Sequence, residues 1–153
     1  MRQKPGAALV LVAWLMASLA ASSLVACDST PAESSTEAVQ QRLVGYWLRE
    51  YEQEGSKIRR LLVLQSDGHF VETARVVDSN GVTTQHNHEG GWLFDGTNLK
   101  RKYTLMDGKH PSAPTVPFAT FQIRFESNRE FVGIDNVRQR EVRYQRVQDG
   151  TEL

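Results

Sequence analysis

Lys57-Ile58-Arg59-Arg60-Leu61-Leu62-Val63-Leu64-Gln65-Ser66-Asp67-Gly68-His69-Phe70-Val71-Glu72-Thr73-Ala74-Arg75-Val76-Val77-Asp78 reads as two β-strands around one tight turn. Branched and apolar residues crowd both arms, and Ser66-Asp67-Gly68 between them supplies turn chemistry. Asp-Gly suits such a turn because a type I′ turn needs positive φ at both central residues. The same pattern repeats outward in both directions. Turn signals stand at Glu54-Gly55-Ser56, Ser79-Asn80-Gly81, Asp95-Gly96-Thr97-Asn98, Met106-Asp107-Gly108, Ser127-Asn128 and Asp135-Asn136. Strands are therefore expected at about 45–53, 57–66, 69–78, 82–95, 98–106, 118–126, 129–135 and 139–147. Evenly spaced short strands argue for a sandwich or a barrel. Hairpin-length links make consecutive strands antiparallel neighbours, so the expected fold is an all-β, antiparallel up-and-down barrel of about eight strands. Gly90-Gly91 inside the long fourth run reads as a bend or bulge of one strand, the alternative being a break between two strands. The one helical stretch is Glu37 to Val44, where Val39 and Leu43 recur at i, i+4 and Thr36 is placed to cap.

Alternation tells which side of each strand is inside. Ala119, Phe121, Ile123 and Phe125 share a face, against Thr120, Gln122, Arg124 and Glu126. Leu99, Tyr103 and Leu105 alternate with Lys100, Lys102 and Thr104, and Val142 and Tyr144 with Glu141, Arg143 and Gln145. Some polar residues fall in phase with the apolar ones. Arg49 and Tyr51 share the face of Trp47, Arg101 that of Leu99 and Tyr103, and Arg146 that of Tyr144. Either these residues sit near strand ends and reach water, or they are buried and need a partner, for which Glu72 is one available carboxylate. An eight-stranded barrel either fills with side chains or holds one small ligand. The candidate ligand-contacting set is Arg49, Tyr51, Arg101, Tyr103, Phe121, Ile123 and Tyr144, suited to a small amphipathic molecule.

The N-terminus carries a different signal. Arg2 and Lys4 precede an uncharged, small or apolar run from Ala7 to Ala21, the layout of an export signal. Leu24-Val25-Ala26-Cys27 closes it. This tetrapeptide resembles the lipobox of bacterial lipoproteins. The resemblance implies cleavage after residue 26, a diacylglyceryl thioether on Cys27, and acylation of the new amino group. Several acyl chains anchor stably where one does so only marginally. Cys27 is the sole cysteine, so lipidation would leave no free thiol in an oxidising compartment. Residues 28–36 are small and polar and read as a tether, giving a signal at 1–26, a lipidated tether at 27–36 and one domain at 37–153. Asp28 resembles an inner-membrane retention signal. The expected location is the cell envelope, lipid-anchored to the membrane and facing the periplasm.

The opening of the first strand carries the second resemblance. Gly45-Tyr46-Trp47 follows the short helical lead-in and is similar to the Gly-x-Trp signature of lipocalins. Leu62-Val63-Leu64, Asp67-Gly68, Phe70 and then Gly91-Trp92 look like bacterial lipocalin-like envelope proteins. The resemblance spans roughly Leu43 to Val147. It implies that Trp47 closes the barrel floor against an arginine of the last strand, for which Arg143 and Arg146 both stand in reach.

The remaining features set the alternatives. The chain has 18 Lys and Arg and 18 Asp and Glu; without Arg2 and Lys4, 16 basic residues face 18 acidic ones. No basic excess or stripe marks a nucleic-acid partner. His86 and His88 lie two apart on one strand face, with Glu89, His69 and His110 as possible third ligands, so a metal-dependent protein is one alternative. A filled barrel acting as a protein-interaction module is another. Its contact would be an open edge or the loop from Asp107 to Pro117, which carries Pro111, Pro114 and Pro117. No nucleophile elbow, phosphate loop or His-Glu-x-x-His occurs in the sequence. The reading favours a binding protein without a cofactor over an enzyme.

Overall fold

The computed structural model describes residues 31–112 and 117–153. The export signal, the lipobox with Cys27 and the start of the tether lie outside the described residues, as does the middle of the proline-bearing loop. A helix α1 (Pro31–Leu43) leads into eight strands: β1 (Gly45–Gln53), β2 (Ser56–Leu64), β3 (His69–Val77), β4 (Thr83–Phe94), β5 (Asn98–Met106), β6 (Phe118–Ser127), β7 (Glu130–Asp135) and β8 (Glu141–Val147). Each pairs antiparallel with the next, and β1 pairs with β8 to close the barrel. The expected up-and-down barrel is the observed one, lipocalin-like in topology and with a short N-terminal helix.

Two boundaries differ from expectation. The helix begins at Pro31, within the stretch read as tether, and ends at Leu43. Proline suits a first helical position, where its missing N–H is not needed. Docking sustains the rest: Leu43 is fully buried and Val39 packs against the core, and such packing outweighs poor intrinsic propensity. The second difference is at the strand ends, which shift by one or two residues where turn carboxylates take over. Asp78 Oδ1 accepts the backbone N–H of Asn80 and Val82, both at 2.8 Å. Asp95 Oδ1 likewise accepts those of Thr97 and Asn98 at 3.0 and 2.7 Å.

Gly90-Gly91 lies inside one strand, opposite a bulge whose extra residue, Thr104, is on β5. The β4–β5 register shifts between Glu89 and Gly90. A Cβ on Gly90 would stand 1.9 Å from the backbone oxygen of Lys102, so only glycine allows the strands to approach there.

Turns alternate between two ends of the barrel. At one end lie α1, the β2–β3, β4–β5 and β6–β7 turns and the C-terminus of β8. This is the floor. Trp47, Leu62, Leu64, Phe70, Trp92, Leu99, Phe131 and Tyr144 are buried in one cluster that fills the floor half. Trp92 is buried in the same cluster and donates Nε1–H to Gln65 O at 2.9 Å. At the other end the β1–β2, β3–β4 and β7–β8 turns and the end of β5 surround a mouth.

Candidate functional site

The strand period of two carries each inward row upward from the floor. On β1 the row is Trp47, Arg49, Tyr51; on β2, read from the floor, it is Leu64, Leu62, Arg60, Ile58; on β3 it is Phe70, Glu72, Ala74, Val76. Apolar residues fill the floor, and polar ones begin one step above it.

Trp47 and Arg146 make the seal. Trp47 Nε1–H donates to Leu43 O at 2.7 Å, and the Arg146 guanidinium lies 4.2 Å above the indole centroid. Arg146 also donates to Val44 O at 3.0 Å and to Arg42 O, capping the free carbonyls at the end of α1. Burial and the nearby Arg42 lower its pKa. Gly45 is needed under this lid: its φ is 129°, and a Cβ there would meet Arg146 Nη1 at 2.7 Å. Of the two arginines in reach, Arg146 is thus the floor residue. Arg143 points outward and pairs with Glu130 and Glu141.

Above the seal lies a charged layer around Glu72, whose side chain is fully buried. Glu72 Oε2 accepts from Arg101 Nη1 at 2.7 Å, and Oε1 from Arg60 Nη1 at 2.6 Å. His88 Nδ1 stands 3.3 Å from Oε1. Arg60 Nε–H donates to the Tyr51 hydroxyl at 3.1 Å. The network thus links β1 to β5. Burial pushes the Glu72 carboxyl up, but Arg101, the His88 hydrogen bond and Arg60 outweigh it and hold the pKa well below the usual carboxylate range. Burial likewise opposes charge on Arg101 and Arg60, and Glu72 overrides it. Arg101, only 3 % exposed, is ringed by Phe70, Tyr103 and Phe121 at 5.4 to 5.6 Å, close enough for cation–π attraction.

A cavity of about 490 Å³ opens from this layer to the mouth. Its two sides differ. Arg49, Tyr51, Arg60, Glu72, Arg101 and Tyr103 make the wall from β1, β2, β3 and β5 mainly charged and polar, with Ile58 and Val76 towards the mouth; Ala119, Phe121 and Val142 supply an apolar wall from β6 and β8, with Tyr144 between. Arg138 and Arg140 stand at the rim with Asp135. Arg49 lies over the Tyr51 ring at 4.0 Å.

Six of the seven residues singled out from the sequence therefore line one cavity: Arg49, Tyr51, Arg101, Tyr103, Phe121 and Tyr144. Ile123 does not; it packs against the core cluster and stays out of the lining. The anticipated partner Glu72 does meet Arg101. Arg60 was missed, although it is in phase with Leu62 and Leu64. Arg138 and Arg140 were missed as well, since a turn has no periodicity to place them.

The two histidines are drawn to different partners. His88 turns inward to Glu72, whereas His86 Nδ1 lies 2.9 Å from Asp107 Oδ2 at the mouth. Among the described residues no group of three or more His, Cys, Asp or Glu side chains is placed to hold a metal ion. The metal-dependent alternative is left without a ligand set there.

Burial pushes the Tyr103 hydroxyl up to about 12, with Glu72 and Tyr144 adding and Arg101 and Arg60 subtracting. A raised pKa means the fold favours the protonated ring. Its contribution is complete below pH 10 and lost as pH rises towards 12. Titration of tyrosinate absorbance should show a late-ionising component to which Tyr46, raised by its hydrogen bond to Asp149, also contributes; Tyr103→Phe should remove the latest part of it and flatten the alkaline loss of stability. Four tyrosines ionising together near pH 10 would refute this placement.

These features define a class of fold and site: a closed, eight-stranded, lipocalin-like barrel, sealed at one end by a helix and a Trp–Arg pair and hollow at the other. Comparison of the chain with protein-family models and with curated protein sequences gives no match.

Proposed function

We propose that the protein is a lipid-anchored component of the cell envelope that holds a small, partly apolar ligand inside its lipocalin-like barrel. One observation carries the binding part: a mouth-facing cavity of about 490 Å³ with one charged and one apolar wall. That volume falls within the roughly 300–1,000 Å³ of small-molecule sites, and the volume supports ligand binding over a filled barrel serving as an interaction module. The anchoring part rests on the lipobox at Leu24–Cys27 and on Cys27 being the sole cysteine. No helix among the described residues is long and apolar enough to cross a membrane. Asp28 favours the inner membrane.

Native mass spectrometry of the full chain taken from its own envelope tests both parts at once. The expected species starts at Cys27, carries a diacylglyceryl group and co-purifies with a small molecule that is lost on unfolding. A chain with an unmodified Cys27 would end the lipoprotein reading. A bare protein with no small-molecule adduct would end the ligand reading.

A further inference from the structure

Five arginines and three carboxylates line the cavity, and their pairing is uneven. Glu72 is committed on both oxygens, to Arg101 on one and to Arg60 and His88 on the other. Asp135 sits at the rim, where its carboxylate accepts the backbone N–H groups of Val137 and Arg138 at 2.8 and 3.1 Å, and Glu54, the third, is exposed in the β1–β2 turn and forms no ion pair with any of the five arginines. Arg49 has no carboxylate partner among the described residues; its guanidinium lies instead over the face of Tyr51 at 4.0 Å.

Register sharpens the imbalance. Arg49 and Arg60 are directly opposite each other on β1 and β2, and both line the cavity. Like charges directly opposite across two strands repel, and here a single shared carboxylate, Glu72, serves Arg60 and Arg101 while Arg49 goes without. Deeper in the same wall, Nε of Arg101 is buried with no hydrogen-bond partner. The wall is thus short of one anion.

We propose that the ligand supplies it: an amphipathic anion whose oxyanion head, carboxylate or phosphate, sits between Arg49 and Arg60 while its apolar body lies along Ala119, Phe121 and Val142. This rests on the reading of the barrel as a ligand-binding protein. Guanidinium groups suit such heads because their N–H donors match two oxygens at once. Arg138 and Arg140 at the rim draw anions towards the mouth, and a charged cleft raises the capture rate of ligands of opposite sign. The Tyr51 hydroxyl accepts from Arg60 and keeps its own proton to donate.

Calorimetric titration of the full chain with octanoate, octyl phosphate, octanol and octylammonium tests the assignment. The anions should bind at least about tenfold tighter than octanol, the scale of one charge-assisted hydrogen bond, and octylammonium should bind weakest. Added salt should weaken the anions alone. The tighter of the two anions identifies the head group. Arg49→Gln should reduce anion affinity to near that of octanol without lowering the melting temperature of the ligand-free protein, because it relieves the Arg49–Arg60 repulsion. Octanol or octylammonium binding as well as the anions, or Arg49→Gln leaving anion affinity unchanged, would overturn the anion and leave the barrel reading standing. Failure of all four to bind would overturn both.

Discussion

Glu72→Ala is expected to destabilise the domain by about 3–5 kcal/mol, the cost of removing one partner from a buried ion pair. The loss arises from what stays behind. Arg101 is 3 % exposed and held among Phe70, Tyr103 and Phe121, so it would remain a largely buried charge whose partner has gone. Arg60 would lose its carboxylate at the same time. Glu72→Gln should cost less, since the amide oxygen still accepts one hydrogen bond. Glu72→Met combined with Arg101→Met should cost least, because a buried pair replaced as a unit by apolar side chains is often neutral. Chemical denaturation of the three variants measures the order. If Glu72→Ala unfolds at the wild-type denaturant concentration, the carboxylate contributes nothing and the charged layer is not what stabilises the upper barrel.

Acid dependence follows from the same carboxyl. Its pKa is depressed in the fold, since Arg101, His88 and Arg60 outweigh the burial that would raise it. A depressed carboxyl contributes fully above the ordinary glutamate range and loses that contribution as pH falls through the folded value. The wild-type protein should therefore lose stability as pH drops below about 4, and Glu72→Gln should lack that part of the acid loss.

Most of the barrel was legible because local and long-range signals agree. Asp67-Gly68, Asn80-Gly81 and Asp95-Gly96 fix where strands end, and inward rows such as Ala119, Phe121, Ile123 and Phe125 fix which side faces in. Parity also brought Arg49, Tyr51, Arg101 and Tyr103 to one interior. It held enough information to choose Arg146 over Arg143 at the floor, because Arg146 shares the face of Tyr144 and Arg143 does not. Arg60 was available to the same argument through Leu62 and Leu64. Other features had no local trace. The start of α1 lies in serine- and proline-bearing sequence whose helicity depends on docking Leu43 beneath the barrel, a contact with strands far along the chain. How high Ile123 sits along its strand, and so whether it meets cavity or core, depends on barrel stagger, which one strand's alternation does not encode. Arg138 and Arg140 reach the rim through the β7–β8 turn, where Asp135 rather than periodicity sets the backbone path.

Trp47→Ala should be as costly as any single change in this fold, at about 3–5 kcal/mol for a fully buried aromatic. Its ring meets Phe131 edge-on at 4.7 Å and carries Arg146 on its face at 4.2 Å. Its Nε1–H ties the end of α1 to β1 through Leu43 O. Truncation removes all three, opens a void at the floor and leaves Arg146 above an empty site. At about 4–8 °C per kcal/mol for a small domain, the melting temperature should fall by more than about 10 °C. The loss has a direction as well as a size. With its tether gone, α1 should release first, so its amides should exchange with solvent faster while those of β3 and β4 exchange much as before. Trp47→Phe separates ring from hydrogen bond: it keeps an aromatic disc against Phe131 and gives up the bond to Leu43, a loss of about 1 kcal/mol. Loss of α1 protection in the alanine variant, with far less in the phenylalanine one, would show that the ring is what seals the floor. A Trp47→Ala protein that melts like wild type with α1 still protected would mean that Leu43 and Arg146 hold the helix without it, and the floor assignment would fail.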